Sequence, residues 1–138
     1  MGDRGNIIVK DGNDAPVFLY SHWGGSELPA TLQAGLARRL RWTDGSYLTR
    51  ILFCEMIDGD VRGETGFGIS THQCDNEHNY LVVDVGEQRV RVLRYDYRER
   101  DKPPLESAQV AAYTFEEYCA LDLESGNPWE AGEAEDDD

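Results

Sequence analysis

Five short apolar runs, each closed off by Gly, Pro, Asn or Asp, constrain this chain most: NIIVK at 6–10, VFLYSHW at 17–23, GFGIST at 66–71, YLVVDV at 80–85 and RVRVLRY at 89–95. Runs of this length, rich in Val, Ile, Tyr and Phe and bounded by turn formers, read as strands. Asp11-Gly-Asn-Asp-Ala-Pro16 is dense in turn residues, so the first two strands form a hairpin with a long loop. Gly86-Glu87 predicts a tight hairpin turn with Gly first. Asp101-Lys-Pro-Pro104 forces a loop or a sheet edge, and Ala108 to Ala112 reads as a short sixth strand.

Two stretches carry helical spacing instead. Leu28, Leu32, Leu36 and Leu40 recur every fourth residue, which predicts a helix with one apolar stripe and Ser26 as its N-cap. Tyr47, Leu48, Ile51, Leu52, Cys54, Met56 and Ile57 mark a second helix, ended by Asp58-Gly-Asp60. A third opens at Thr114-Phe-Glu-Glu117, a capping box, with Tyr113 and Tyr118 placed to close a hydrophobic staple around it. The order is β-β-α-α-β-β-β-β-α. Hairpins dominate it, which predicts an α+β fold: a mainly antiparallel sheet of five or six strands with two or three helices on one face. Residues 1–123 are expected to form a single domain.

Beyond residue 123 the composition changes. From Glu124 to Asp138 there are seven acids and no base, so half of the net charge of −14 lies in that tail. Trp129 is its one large apolar residue, and such a segment is expected to be disordered. The acidity makes direct binding to DNA, RNA or an anionic membrane unfavourable. No apolar run approaches the ~20 residues of a membrane span, and the N-terminus lacks a charged-then-apolar leader pattern. A cytoplasmic protein is the expectation. Three cysteines without a C-x-x-C pair fit free thiols in a reducing compartment. Cys54 and Cys119 read as small core residues, whereas Cys74 falls in a polar loop. Eleven of the thirteen bases are Arg, a bias that a GC-rich genome produces.

Three short words are distinctive: MGDRGN at the start, SHWGG at 21–25 and GETGFGIS at 63–70. They resemble a family of small uncharacterised proteins of prokaryotic and phage genomes, over roughly residues 1–85. The resemblance implies one compact domain in a phage or mobile-element setting. It carries over no activity and no catalytic residue.

Several groups of residues are candidates for chemistry. Ser21-His-Trp-Gly-Gly-Ser26 leads from a strand into a helix N-terminus. Its backbone N–H groups at Gly24, Gly25 and Ser26 would take an anion, with His22 as a donor and Trp23 as a stacking face. The Gly-Lys-Ser/Thr ending of a P-loop is missing, and the simpler reading is a tight strand-to-helix turn with Trp23 packed on the core. The loop 72–78 holds His72, Cys74 and His78 at a spacing foreign to common structural zinc sites, which makes them weak metal candidates. Arg89, Arg91, Arg94, Arg98 and Arg100, interleaved with Tyr95 and Tyr97, suggest a nucleic-acid strip, a salt-bridged face or a seat that holds the acidic tail against the sheet. No catalytic residue is assigned, because G-x-S-x-G and H-E-x-x-H are both missing, and no cofactor is expected.

Acidity points to a function by association. Carboxylates on a rigid surface imitate duplex phosphates and occupy a basic groove. The leading expectation is a non-enzymatic protein that binds a protein partner with a basic surface. Its sharpest form is a phage-type inhibitor covering the nucleic-acid-binding surface of a host defence complex. Glu27, Asp58, Asp60, Glu64, Asp75 and Glu77, at helix and strand ends, would supply the charge and Trp23 an aromatic anchor. The alternative is a small nucleotide- or phosphate-binding protein or enzyme that uses the Ser21–Ser26 turn.

Overall fold

The apolar runs become the strands of one six-stranded sheet: β1 (Gly5–Lys10), β2 (Val17–Ser21), β3 (Phe67–Ser70), β4 (Tyr80–Asp84), β5 (Arg89–Leu93) and β6 (Gln109–Thr114). The structure, a computed structural model, describes residues 2–73 and 75–124. The spatial order is β3-β2-β1-β4-β5-β6. β1 runs antiparallel to β2, with Ile7 opposite Leu19, and parallel to β4, with Ile7 opposite Leu81. The remaining pairs are antiparallel. With three helices, α1 (Leu28–Ala37), α2 (Gly45–Ile57) and α3 (Phe115–Cys119), this is an α+β fold on a mostly antiparallel sheet.

Side chains alternate across the strands and divide the interior in two. On one face Ile7, Val9, Leu19, Leu81, Val83, Val90 and Val92 pack against leucines of α1 and α2 and against Phe115 and Tyr118 of α3. On the other face Ile8, Phe18, Tyr80, Val82 and Leu93 form a smaller cluster closed by Tyr95 and Leu105. β1 and β4 are therefore covered on both sides, which explains why NIIVK and YLVVDV are continuous apolar runs.

The capping box at Thr114 and Glu117 is present, and the Tyr113 and Tyr118 rings meet edge-on at 5.8 Å. The buried Tyr118 hydroxyl donates to the Pro29 carbonyl at 2.8 Å, and Gln33 Nε2 donates to the carbonyls of Tyr118 and Leu121. These bonds seat α3 on α1.

Four local expectations are corrected. Ser26 does not cap the first helix. A 3-10 turn at Gly25–Glu27 comes first, and α1 opens at Glu27 without a side-chain cap. Pro29 in its first turn has no N–H to satisfy. Leu40 is not part of the stripe: α1 ends at Ala37, Arg39 and Arg41 adopt left-handed φ of +56° and +60°, and Leu40 is half exposed. Cys54 is exposed rather than buried, because Leu48, Leu52 and Met56 take the inward face of α2 and Cys54 falls on the opposite side. The β4–β5 turn spans residues 85–88 between the paired Asp84 and Arg89, and Gln88, not Gly86, takes the left-handed conformation at +53°.

Candidate functional site

The start of β1, the end of β2 and the starts of β3 and β4 lie at one end of the sheet, so the three sequence words converge there. Backbone pairing beyond the strands stitches them together. Asp3 N donates to the His22 carbonyl at 2.8 Å and His22 N to the Gly66 carbonyl at 2.8 Å. Gly25 N donates to the Asp3 carbonyl at 2.6 Å, and Glu77 N to the Arg4 carbonyl at 2.9 Å.

Asp3 is the hub. Its Oδ2 accepts from the Ser26 backbone N–H at 2.9 Å and from the Ser26 hydroxyl at 2.6 Å. Its Oδ1 lies 2.5 Å from His78 Nε2. Partial burial pushes the Asp3 carboxyl up, but the hydrogen bonds from His78 and Ser26 outweigh it and hold the group below the ordinary Asp range. An ionised carboxylate only accepts, so His78 Nε2 carries the proton. Ser, Asp and His thus meet in the wrong order for nucleophilic catalysis. A triad places the histidine between serine and aspartate, whereas here the carboxylate stands between the other two.

The anion at the Ser21–Ser26 turn is accordingly the protein's own. Ser26 N faces the Asp3 carboxylate, Gly25 N faces the Asp3 carbonyl, and Gly24 N donates to Ser21 Oγ at 3.0 Å. His22 Nδ1 shares a hydrogen bond with the Tyr20 hydroxyl at 2.9 Å, and its ring meets Trp23 edge-on at 4.6 Å. Trp23 remains 60% exposed and lies over Gly66, where an added Cβ would come 2.9 Å from the indole.

The 75–79 loop is tied down in the same way. Arg4 reaches Asp75 at 3.2 Å and Glu77 at 3.3 Å, while its backbone N–H donates to Glu77 Oε1 at 2.7 Å. That backbone bond, opposed by burial and joined by the guanidinium, lowers the Glu77 carboxyl below its ordinary range. The buried Asn6 donates to the Asp75 carbonyl and to Asn76 Oδ1, and Asn76 donates in turn to the His78 carbonyl.

The metal candidates do not gather. His78 is committed to Asp3, His72 is exposed with its backbone N–H on Ser70 Oγ, and Cys74 lies outside the described residues. Among the described residues no three His, Cys, Asp or Glu side chains are placed to hold an ion. Two members of the arginine strip are shown in ion pairs: Arg91 lies 3.5 Å from Asp84 and Arg98 lies 2.9 Å from Asp96.

The partner-binding candidates divide into two groups. Asp75 and Glu77 share the single guanidinium of Arg4. Glu27, Asp58, Asp60 and Glu64 are exposed and make no ion pair among the described residues. Glu27 and Asp58 line one groove of about 510 Å³, where α1 begins and α2 ends, together with Glu55 and Glu124. Asp60 and Glu64 follow on the loop that leads into Gly66 beneath Trp23, a loop that also holds Arg62 and the exposed Val61.

Sequence reading missed Asp3, Arg4 and Tyr20 as members of this site. Each finds its meaning in a partner brought to it by the fold: Asp3 meets Ser26 and His78, and Arg4 meets Glu77. The one available signal was that Asp3 and Arg4 belong to MGDRGN, a word as distinctive as the other two. No protein-family model, curated protein sequence or solved structure matches this chain.

Proposed function

We propose that this protein is a non-enzymatic binding module whose partner is a protein with a basic surface. The observation that carries the reading is the contrast among its carboxylates. Asp3, Asp75 and Glu77 are held by His78, Ser26 and Arg4, whereas Glu27, Asp58, Asp60 and Glu64 are exposed and make no ion pair among the described residues, and Trp23 is exposed as well. Unpaired surface carboxylates steer a basic partner and raise its on-rate, and an exposed indole supplies an anchor. In the sharpest form, the partner's basic surface handles nucleic acid and the carboxylates take the place of phosphates. The phage setting implied by MGDRGN, SHWGG and GETGFGIS makes a host defence complex the natural target.

Affinity capture with the full chain at low and high salt tests this. Wild type is expected to retain a nucleic-acid-binding protein at low salt and to release it to added duplex DNA. The variant E27K/D58K/D60K/E64K is expected to retain at least about tenfold less. Equal retention by both, or retention indifferent to DNA, overturns the reading.

A further inference from the structure

The outer face of the α1–α2 hairpin has the opposite character. Where α1 ends and α2 begins, Leu40, Tyr47 and Ile51 line a groove of about 490 Å³ together with Arg38, Arg41, Arg50 and Cys54. Leu40 is 50% exposed and Tyr47 55% exposed. The three guanidiniums are poorly matched. Arg38 reaches Glu55 only at 3.7 Å, Arg41 lies 4.6 Å over the Tyr47 ring, and the Arg50 side chain makes no ion pair or hydrogen bond among the described residues. In a chain with more than twice as many acids as bases, a basic apolar groove without carboxylates is the exception.

We propose that this groove is occupied by residues 125–138 of the same chain, with Trp129 on Leu40, Tyr47 and Ile51 and the acids after it against Arg38, Arg41 and Arg50. Residues 125–138 lie outside the described structure, and three observations point to them as the occupant. The first is chemistry: the segment pairs one indole with six carboxylates that follow it and has no base, the complement of an apolar floor rimmed by guanidiniums. The second is position. Leu123 and Glu124 line the neighbouring groove beside Ala34 and Glu55, one helical turn from Arg38 and Ile51. The third is reach: from the level of Glu55 to that of Tyr47 is about 12 Å along α2, and the five residues from Glu124 to Trp129 extend to about 17 Å. The arginines of β5 and the segment after it compete poorly, since Arg91 and Arg98 already hold Asp84 and Asp96. This inference is independent of the partner proposed above, which would meet the exposed carboxylates and not this groove.

Cys54, exposed in the groove, reports its occupancy. The full chain is alkylated with neutral iodoacetamide, and the rates at Cys54 and Cys119 are read by peptide mapping. In W129A, and separately in E133Q/E135Q/D136N, Cys54 is expected to react about fivefold faster than in wild type while Cys119 is unchanged. Equal Cys54 rates in wild type and both variants overturn the proposal. So does wild-type protection that fades on dilution, because the occupant would then be a second copy.

Discussion

The motif end of the sheet and the outer groove of the α1–α2 hairpin differ in how their polar groups are satisfied. At the motif end, Asp3, Arg4, Ser26, Glu77 and His78 answer one another at distances of 2.5–3.3 Å. In the groove, three guanidiniums surround exposed apolar side chains, and only Arg38 reaches a carboxylate, that of Glu55 outside the lining, at 3.7 Å. The first region concentrates the residue types that catalysis uses, yet its internal bonds occupy them in fixing the N-terminal segment across β2 and β4. The second has no serine, histidine or carboxylate in its lining and leaves charge and apolar surface unanswered. The dense polar cluster is thus internally satisfied, and the groove is the surface left unmatched.

The most severe test of this contrast is G25A. An added Cβ at Gly25 would stand 2.6 Å from the Asp3 carbonyl oxygen and 2.8 Å from the Arg4 carbonyl carbon, both backbone atoms that cannot swing aside. The N-terminal segment would have to leave the turn, and with it go the Asp3 bonds to Ser26 and His78. Denaturant unfolding is expected to show a loss of about 3 kcal/mol. A loss under about 1 kcal/mol would mean that the motif end tolerates rearrangement and is not the rigid brace described here.

Next in size is D3N. The amide keeps the shape but loses the charge, and its NH2 must face a donor on either Ser26 or His78. The expected cost near neutral pH is about 1–2 kcal/mol, given three bonds to a partly exposed carboxylate. The pH dependence sharpens the assignment. The folded protein holds Asp3 and Glu77 below their ordinary ranges, so the unfolded chain takes up protons first as pH falls. Their contribution is complete above the ordinary carboxylate values of about 4 and is lost as pH drops through the lower folded values. Stability of wild type is expected to fall more steeply with acid than that of D3N. Parallel acid limbs would show that Asp3 contributes nothing specific.

What the sequence made legible follows the range of each interaction. The element order, the capping box and staple at Tyr113–Tyr118 and the mainly antiparallel sheet all rest on local patterns, and all are present. The failures are local rules overridden from afar. Ser26 is a good N-cap residue, but its hydroxyl is taken by Asp3, 23 residues earlier. Leu40 continues a four-residue spacing that the chain itself abandons at Arg39. The parallel β1–β4 pair has no local signature, and it is this pair that brings His78 and Glu77 beside Asp3 and Arg4. The candidate site was visible as separate words; its geometry depended on which strand lies next to β1.

The smallest expected effect bears on the other half of the contrast. Tyr47 and Arg50 lie on the exposed side of α2, opposite the Leu48, Leu52 and Met56 stripe that enters the core. Apart from Arg41 stacking on Tyr47, neither holds another element in place among the described residues. Y47S and R50S are therefore expected to change unfolding free energy by less than about 0.5 kcal/mol each, the range of ordinary surface substitutions. If residues 125–138 occupy the groove as proposed, both should also speed alkylation of Cys54, as W129A is expected to, because they remove the floor and the rim offered to that segment. A large stability loss with no change at Cys54 would place these residues in the fold instead, and the two regions would then differ in composition but not in role.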